Sequence, residues 1–414
     1  LSPAVDFVLR NARVAGRGCP VDIGVAEGRV VALEPNLGVD APARDAAGRF
    51  VFSGFVDCHI HLDKACILDR CTICEGTLQE AVRQTAQAKG AFTEDDVYRR
   101  AARVVERAIL NGTTALRTFV EVDPRAGLRS LVAIRQLKAD YAFAIDIEIC
   151  AFAQEGLTQE PETEIMLAKA LASGADLVGG CPYTDPRPAE HVARIFDLAE
   201  RFGTGVDFHA DFDLDPNGSA LPFIVAETQR RGFGGKVSIG HATKLSAMEP
   251  AAVDMVGHQL ANAGIAVTVL PATDLFLTGR DRKRLVPRGV APVHRLKQLG
   301  VCATIATNNV LNPFTPFGDA SLLRMANLYA NVAQLARDDE MEAVFAMVST
   351  DAANLMGCDP GLAVGSPADL VLLDAATPAA AVREIAQPLA AWKRGRQVME
   401  RPAGRILRPA PHPD

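Results

Sequence analysis

No run of about eighteen consecutive apolar residues occurs in this chain, and no basic segment leading into an apolar one stands near its start. The expectation is therefore a protein that neither spans nor crosses a membrane, with the cytoplasm as its compartment. Cysteine is sparse and odd in number, nine in 414 residues, which argues against a disulfide framework. Cys71 and Cys74 form one C-x-x-C pair, but no second pair stands at zinc-ribbon spacing, so the thiols read as reduced. Positive charge is also short: 43 Lys and Arg stand against 50 Asp and Glu, a net charge of −7. That balance disfavours a nucleic-acid partner. Hydrophobic residues make up 49% and charged residues 22%, an ordinary globular composition with length enough for one large core and a small second domain.

From about residue 50 to 310 one plan repeats: an amphipathic segment ends in glycine and a short apolar strand follows. "TEDDVYRRAARVVERAILNG" opens on a capping-box-like Thr93-x-x-Asp96 and carries Val97, Ala101, Val104, Val105 and Ala108 on one face. Later units stop at Gly174, Gly203, Gly232, Gly264 and Gly300, fitting the position just past a helix end. With "VFSGFVDCHIH" and "YAFAIDIEICAFAQ" the strand count is eight. Alternating helices and near-continuously apolar strands mean a parallel sheet covered by helices. Eight such units favour a (β/α)8 barrel over an open doubly wound sheet, and no Gly-rich phosphate fingerprint follows the first strand. Both ends of the chain read as short strands broken by turns. They are expected to pack together as one small β domain, residues 1–50 with 356–414, beside a barrel spanning 51–355.

Histidine is scarce, eight residues in all, yet two stand one residue apart in "FVDCHIHLDK". In a strand, i and i+2 point to the same side, so His59 and His61 aim two imidazoles at one point. His209 and His241 fall at the ends of the fifth and sixth strands, where barrels of this kind carry their chemistry. His191, His258 and His294 lie in helical segments and His412 in the tail. Imidazoles gathered at strand tips describe a catalytic metal site.

These motifs, in order, resemble the amidohydrolase superfamily. H-x-H on the first strand is joined by "AFAQEG" (151–156), "SIGHATKLSAM" (238–248), "NNVLNPFTPFGD" (308–319) and "GSPADLVLLD" near the C-terminus. The pattern is most similar to the cytosine deaminase group, which includes isopropylammelide amidohydrolases. The resemblance implies an α/β fold, a (β/α)8 TIM barrel with a flanking β-sandwich from both termini, and one divalent metal, zinc or iron. His59, His61 and His209 would be its ligands and His241 would sit beside the attacking water. No lysine occurs in "DLVGGCPYTD", so the carbamylated lysine of binuclear relatives has no candidate and the metal should be single. Gln154 matches a substrate-binding glutamine of cytosine deaminases, and Lys64 a lysine of the isopropylammelide enzymes.

Two positions depart from the group. Phe212 stands where cytosine deaminases carry the glutamate of His-x-x-Glu, and Asn308 in "ATNN" stands where they carry aspartate. A carboxamide cannot take a proton at neutral pH. Asp211 is a candidate replacement, two residues after His209 and on its side of the strand; the alternative is a loop residue in an acidic stretch with Asp213 and Asp215. The expected catalytic set is His241, Asp211, Lys64 and Asn308, and the expected substrate-binding set is Gln154, Lys64, Asn309 and Phe212. "GRDRKR" (279–284) reads either as a solvated loop or as a guide for an anionic substrate. The expected function is hydrolysis of a C–N bond in a small nitrogen heterocycle or cyclic amide other than cytosine. The partner would be a small molecule, and a homo-oligomer is compatible. The rival reading is a barrel that has lost catalysis and serves as a small-molecule binding protein.

Overall fold

The computed structural model describes residues 5–402, Cys74 excepted, together with 404, 406 and 407. The C-x-x-C pair therefore lies partly outside the described residues, and His412 wholly so. The other eight cysteines carry free thiols. Among the described residues no helix is long and apolar enough to cross a membrane.

Eight parallel strands follow one another in chain order: Phe55–Ile60, Thr113–Glu121, Asp146–Ala153, Leu177–Gly180, Gly205–Ala210, Val237–His241, Ile265–Val269 and Ala303–Ile305. We call them barrel strands one to eight. Their burial is nearly continuous, as expected of a sheet covered on its outside by helices and filled within. The ring closes where the amide of His61 donates to Asn308 O (2.8 Å) and the amide of Asn308 donates to His59 O (2.8 Å). The fold is thus the (β/α)8 barrel that the repeated units predict.

The helices begin and end where local chemistry places them. Thr93 accepts from the amide of Asp96 (3.2 Å) at the start of Glu94–Leu110, and the helices before strands five, six and seven stop at Gly203, Gly232 and Gly264 in the left-handed region. One helix was not legible as a unit of the repeat. Leu78–Lys89 follows strand one, its first turn capped by Thr77, which accepts from the amide of Glu80 (3.1 Å). It supplies a residue to the site described below.

The remaining strands form two four-stranded sheets. One runs Arg29–Glu34, Val21–Ala26, Phe7–Ala12, Ala43–Asp45, and the other Arg396–Glu400, Pro388–Lys393, Leu370–Leu373, Val51–Phe52. Leu9, Ile23, Val30, Leu370, Leu372 and Trp392 share a core between them. "VFSGFVDCHIH", expected as one strand, is thereby divided: Val51–Phe52 pairs with Leu370–Leu373, and only Phe55–Ile60 enters the barrel. Phe50, Phe52, Phe55 and Phe345, with ring centroids 4.6–5.9 Å apart, weld the small sheets to the barrel. Lys393 does the same electrostatically, bridging Asp369 (2.7 Å) and Asp146 (2.6 Å) while buried.

Candidate functional site

The i, i+2 geometry of strand one brings His59 and His61 to the inner face of the barrel, and strand five brings His209 opposite them. His59 Nε2 lies 3.0 Å and His61 Nε2 2.9 Å from His209 Nε2. All three side chains are buried, and Phe119 and Phe152 pack against them, with His59–Phe119 centroids at 4.1 Å and His209–Phe152 at 4.2 Å. Close approach is possible because residue 240 on strand six is glycine: a Cβ there would lie 2.6 Å from His59 Cε1. Burial first, and neighbouring positive charge second, holds each of the three imidazoles well below its ordinary pKa, so all three are neutral at pH 7.

Their contacts test the expected ligand set. His209 Nε2 meets two other Nε2 atoms, and a neutral imidazole carries one N–H, which can serve only one of those two contacts. A cation between the rings satisfies all three lone pairs at once. Separations near 3.0 Å are those subtended by an angle of roughly 90° at Zn–N distances of about 2.0–2.1 Å. The three nitrogens therefore fit a divalent metal.

His241 closes strand six at φ +73°. Its Nδ1 lies 2.6 Å from Asp274 Oδ1, and the other carboxylate oxygen accepts from the amide of Leu270 (3.1 Å). Asp274 is fully buried. Sequence reading missed it, although it closes "IAVTVLPATD", an acid in the first turn after strand seven. Phe212 stacks on the His241 ring, centroids 3.9 Å apart at 23°.

Asn308 is 1% exposed, and neither its Oδ1 nor its Nδ2 has a protein partner. Such a group costs about 1–3 kcal/mol if left unsatisfied. Asn309 is spent differently, its Oδ1 accepting from Asn312 Nδ2 (2.7 Å). Asp211 is also spent. Its two oxygens accept from Ser219 Oγ (2.5 Å) and from the amide of Ala220 (2.8 Å), tying off the loop after strand five. Of the two readings open for Asp211, these contacts match the loop residue, not the proton carrier.

Lys64 is buried, its Nζ 2.6 Å from Glu121 Oε1 and 3.1 Å from Gln154 Oε1, with the Phe314 ring centroid 4.3 Å away. The second oxygen of Glu121 receives Lys89 Nζ (2.8 Å), which also meets Asp123 (2.5 Å) and Glu155 (2.5 Å). Glu121, Asp123 and Glu155 could by spacing hold a second metal, but the Lys89 ammonium already occupies their centre. Burial pushes Glu121 and Asp123 up, and the ammonium groups outweigh it, holding Glu121 below the usual range and Asp123 at about 2. Glu155, raised by burial and by the Glu121 charge, sits at about 7. None of Lys89, Glu121, Asp123 and Glu155 was expected from sequence; the one available signal was a carboxylate at the end of the apolar strand "TTALRTFVEV".

This cluster carries a stability prediction. Lys89→Met removes the ammonium and leaves three carboxylates facing one another, so the unfolding free energy at pH 7 should fall by about 3–5 kcal/mol. Urea denaturation measures it, and part of the loss should return at pH 5, where Glu155 is protonated. An unchanged midpoint would show that the cluster tolerates its own charge.

The basic run 279–284 lies at the outer edge of the site. Arg280 stacks on Phe276 at 4.4 Å, Arg282 lies 3.3 Å from Asp281, and both arginines line a cavity of about 910 Å³ together with Phe212.

Residues 50–398 match the Amidohydrolase family. The chain is 26% identical to an N-isopropylammelide isopropyl amidohydrolase of Pseudomonas sp. (strain ADP), covering 97% of this chain and 98% of that one. It is 28% identical to a pterin deaminase of Rhizobium rhizogenes, covering 90% and 89%. Among solved structures, a 5-methylcytosine deaminase from Klebsiella pneumoniae superposes with a TM-score of 0.92 at 28% identity, over 97% of this chain and 99% of that one. An N-isopropylammelide isopropylaminohydrolase from Burkholderia multivorans gives 0.83 at 29%, over 95% and 98%. A histidine cluster at the strand ends of a (β/α)8 barrel and a match across most of the sequence lead to one conclusion: the chain belongs to the amidohydrolase family.

Proposed function

We propose that this protein is a metal-dependent hydrolase cleaving a C–N bond in a small nitrogen heterocycle or cyclic amide. The observation that carries the reading is the meeting of three neutral imidazoles at one point with a separately held His241–Asp274 pair beside them. Relatives named for ammelide and pterin chemistry support the substrate class. One divalent ion per chain, zinc or iron, is the proposed cofactor, with His59, His61 and His209 as its ligands. Bound there, it would supply Lewis acidity and a water of lowered pKa.

The protein's own groups account for the rest. Asp274 fixes the proton of His241 on Nδ1, which leaves Nε2 as an acceptor. His241 then takes the proton of the attacking water and returns it to the departing nitrogen, acting as base and acid in turn. Lys64 and Gln154 hold the substrate, Lys64 opposing negative charge that develops on it. Asn308 offers one donor and one acceptor that no protein group uses. Phe212 covers one face of the His241 ring. Asn308 and Phe212 stand where carboxylates are expected, which is the ground for the non-catalytic reading. The buried Asp274, held against His241 at 2.6 Å, favours the enzyme.

Elemental analysis, followed by ammonia or amine release across heterocycles and cyclic amides, tests the proposal. Turnover of any of them rejects the binding-protein reading, and a metal-replete protein inert to all rejects the enzyme.

Cytosine should be a poor substrate, despite the similarity to a 5-methylcytosine deaminase. Phe212 offers no carboxyl to protonate the ring, and proton transfer of that kind contributes roughly 10²–10⁴-fold in rate. An ammonia assay with cytosine on metal-replete protein decides it: turnover of an ordinary enzymic order, about 10 s⁻¹, would show that another group does the work.

A further inference from the structure

The reaction centre is sealed. His59, His61, His209, His241, Lys64, Gln154 and Asn308 are each no more than 3% exposed, yet a cavity of about 910 Å³ lies just outside. What separates the two is apolar. Phe212 both lines the cavity and stacks on His241. Around it, Ala81, Leu277 and Phe314 complete a buried cluster, and Phe314 in turn covers the Lys64 ammonium.

The four residues come from four different segments. Ala81 lies on the helix after strand one, Phe212 in the loop after strand five, Leu277 at the end of the helix Pro271–Leu277 after strand seven, and Phe314 in the loop after strand eight. The backbone of the Phe212 segment is bound firmly, both to itself and to Lys244 in the segment after strand six. Asp211 ties its two ends through Ser219 and Ala220, and Lys244 Nζ gathers Asp213 Oδ1 (2.5 Å), Asp215 O (2.7 Å) and Asn217 O (3.0 Å). Within the cluster the contacts between segments are apolar, and around it hydrogen bonds join them: Thr273 Oγ1 with Thr315 Oγ1 (2.6 Å), Asn312 Nδ2 to Lys64 O (3.3 Å) and, at the edge, Arg280 to Glu75 O (3.3 Å). The Phe212 ring is held by packing, so it can turn aside without breaking a directional bond.

We infer that Phe212 is a specificity-determining residue: substrate enters through the outer cavity by displacing its ring from His241, so its bulk selects which molecules reach the reaction centre. A flat ring with apolar faces can slide between Phe212 and His241, whereas a bulky hydrated ion would have to shed its water against phenyl rings. Asp211, through Ser219 and Ala220, ties the loop that carries Phe212. The inference rests on the proposed function only in calling the entering molecule a substrate, and its test needs neither metal nor turnover.

Diethyl pyrocarbonate acylates neutral imidazole, and His241 Nε2 can be compared with His258, which is exposed on the outer helix Pro250–Ala263. With the protein as purified, at pH 6 and with peptide mass analysis, His241 in the wild type should be modified at least about tenfold more slowly than His258, and Phe212→Ala should raise the His241 rate by about tenfold with His258 unchanged. Phe314→Ala, from the other side of the roof, makes the same test should Phe212→Ala fail to fold. Wild-type His241 reacting as fast as His258, or equal His241 rates with and without the Phe212 ring, would overturn the inference. Failure to find metal or hydrolysis would instead overturn the proposed function and leave this measurement intact.

Discussion

His61→Ala protein should purify folded, with its divalent metal almost wholly lost and hydrolysis below detection. The side chain has no hydrogen-bonding duty in the fold. Its Nδ1 has no partner, its Nε2 meets only His209, and the bond that closes the barrel runs from its backbone amide to Asn308 O, which alanine retains. What disappears is one of three imidazoles around a single point. Losing a group that merely orients a ligand costs about 10–100-fold in metal affinity, so losing the ligand itself should cost at least the upper end of that range. Elemental analysis beside far-UV circular dichroism reads both halves of the expectation. Full metal occupancy in a folded His61→Ala protein would sink the ligand assignment. Thermal stability should also fall and become insensitive to added metal, because an ion that binds only the native state stabilises it by mass action.

Asp274→Asn should lower kcat by about 10⁴ while metal content stays at the wild-type level, as expected when a base histidine is locked in the wrong tautomer. The local hydrogen bonds dictate the direction of the effect. Asp274 Oδ2 accepts from the amide of Leu270, a donor that only an oxygen can serve. Asparagine must therefore turn its carbonyl oxygen to Leu270 and its NH₂ to His241 Nδ1. That nitrogen then has to accept, the imidazole proton moves to Nε2, and the atom proposed to take a proton from water no longer can. Size and shape are unchanged, so folding should be nearly unaffected. A loss of less than tenfold, with metal retained, would mean that His241 is not the proton carrier, and attention would pass to Lys64.

The sequence by itself determined the barrel, the direction of its strands and the place of its histidines. Those are encoded by short-range regularities. A period of about 3.6 marks helix faces such as that of Glu94–Leu110, glycine stops such as Gly203 mark their ends, and a period of two puts His59 and His61 on one side of a strand. Each survives any rearrangement of the rest of the chain. The partners of the buried charges do not. Glu121 lies between Lys64 and Lys89 because strand two sits beside strand one and the helix Leu78–Lys89 folds back over them. Asp274 finds His241, 33 residues before it in the chain, only because strands six and seven pair side by side. Asp211 likewise turned into its own loop, where Ser219 and Ala220 offered two donors, although the strand period alone pointed it at the site. Val51–Phe52 joined the C-terminal sheet because Leu370–Leu373 presented an unpaired edge. A buried charge or an open strand edge must be satisfied by whatever closure of the fold brings within reach, and that is decided by tertiary structure alone.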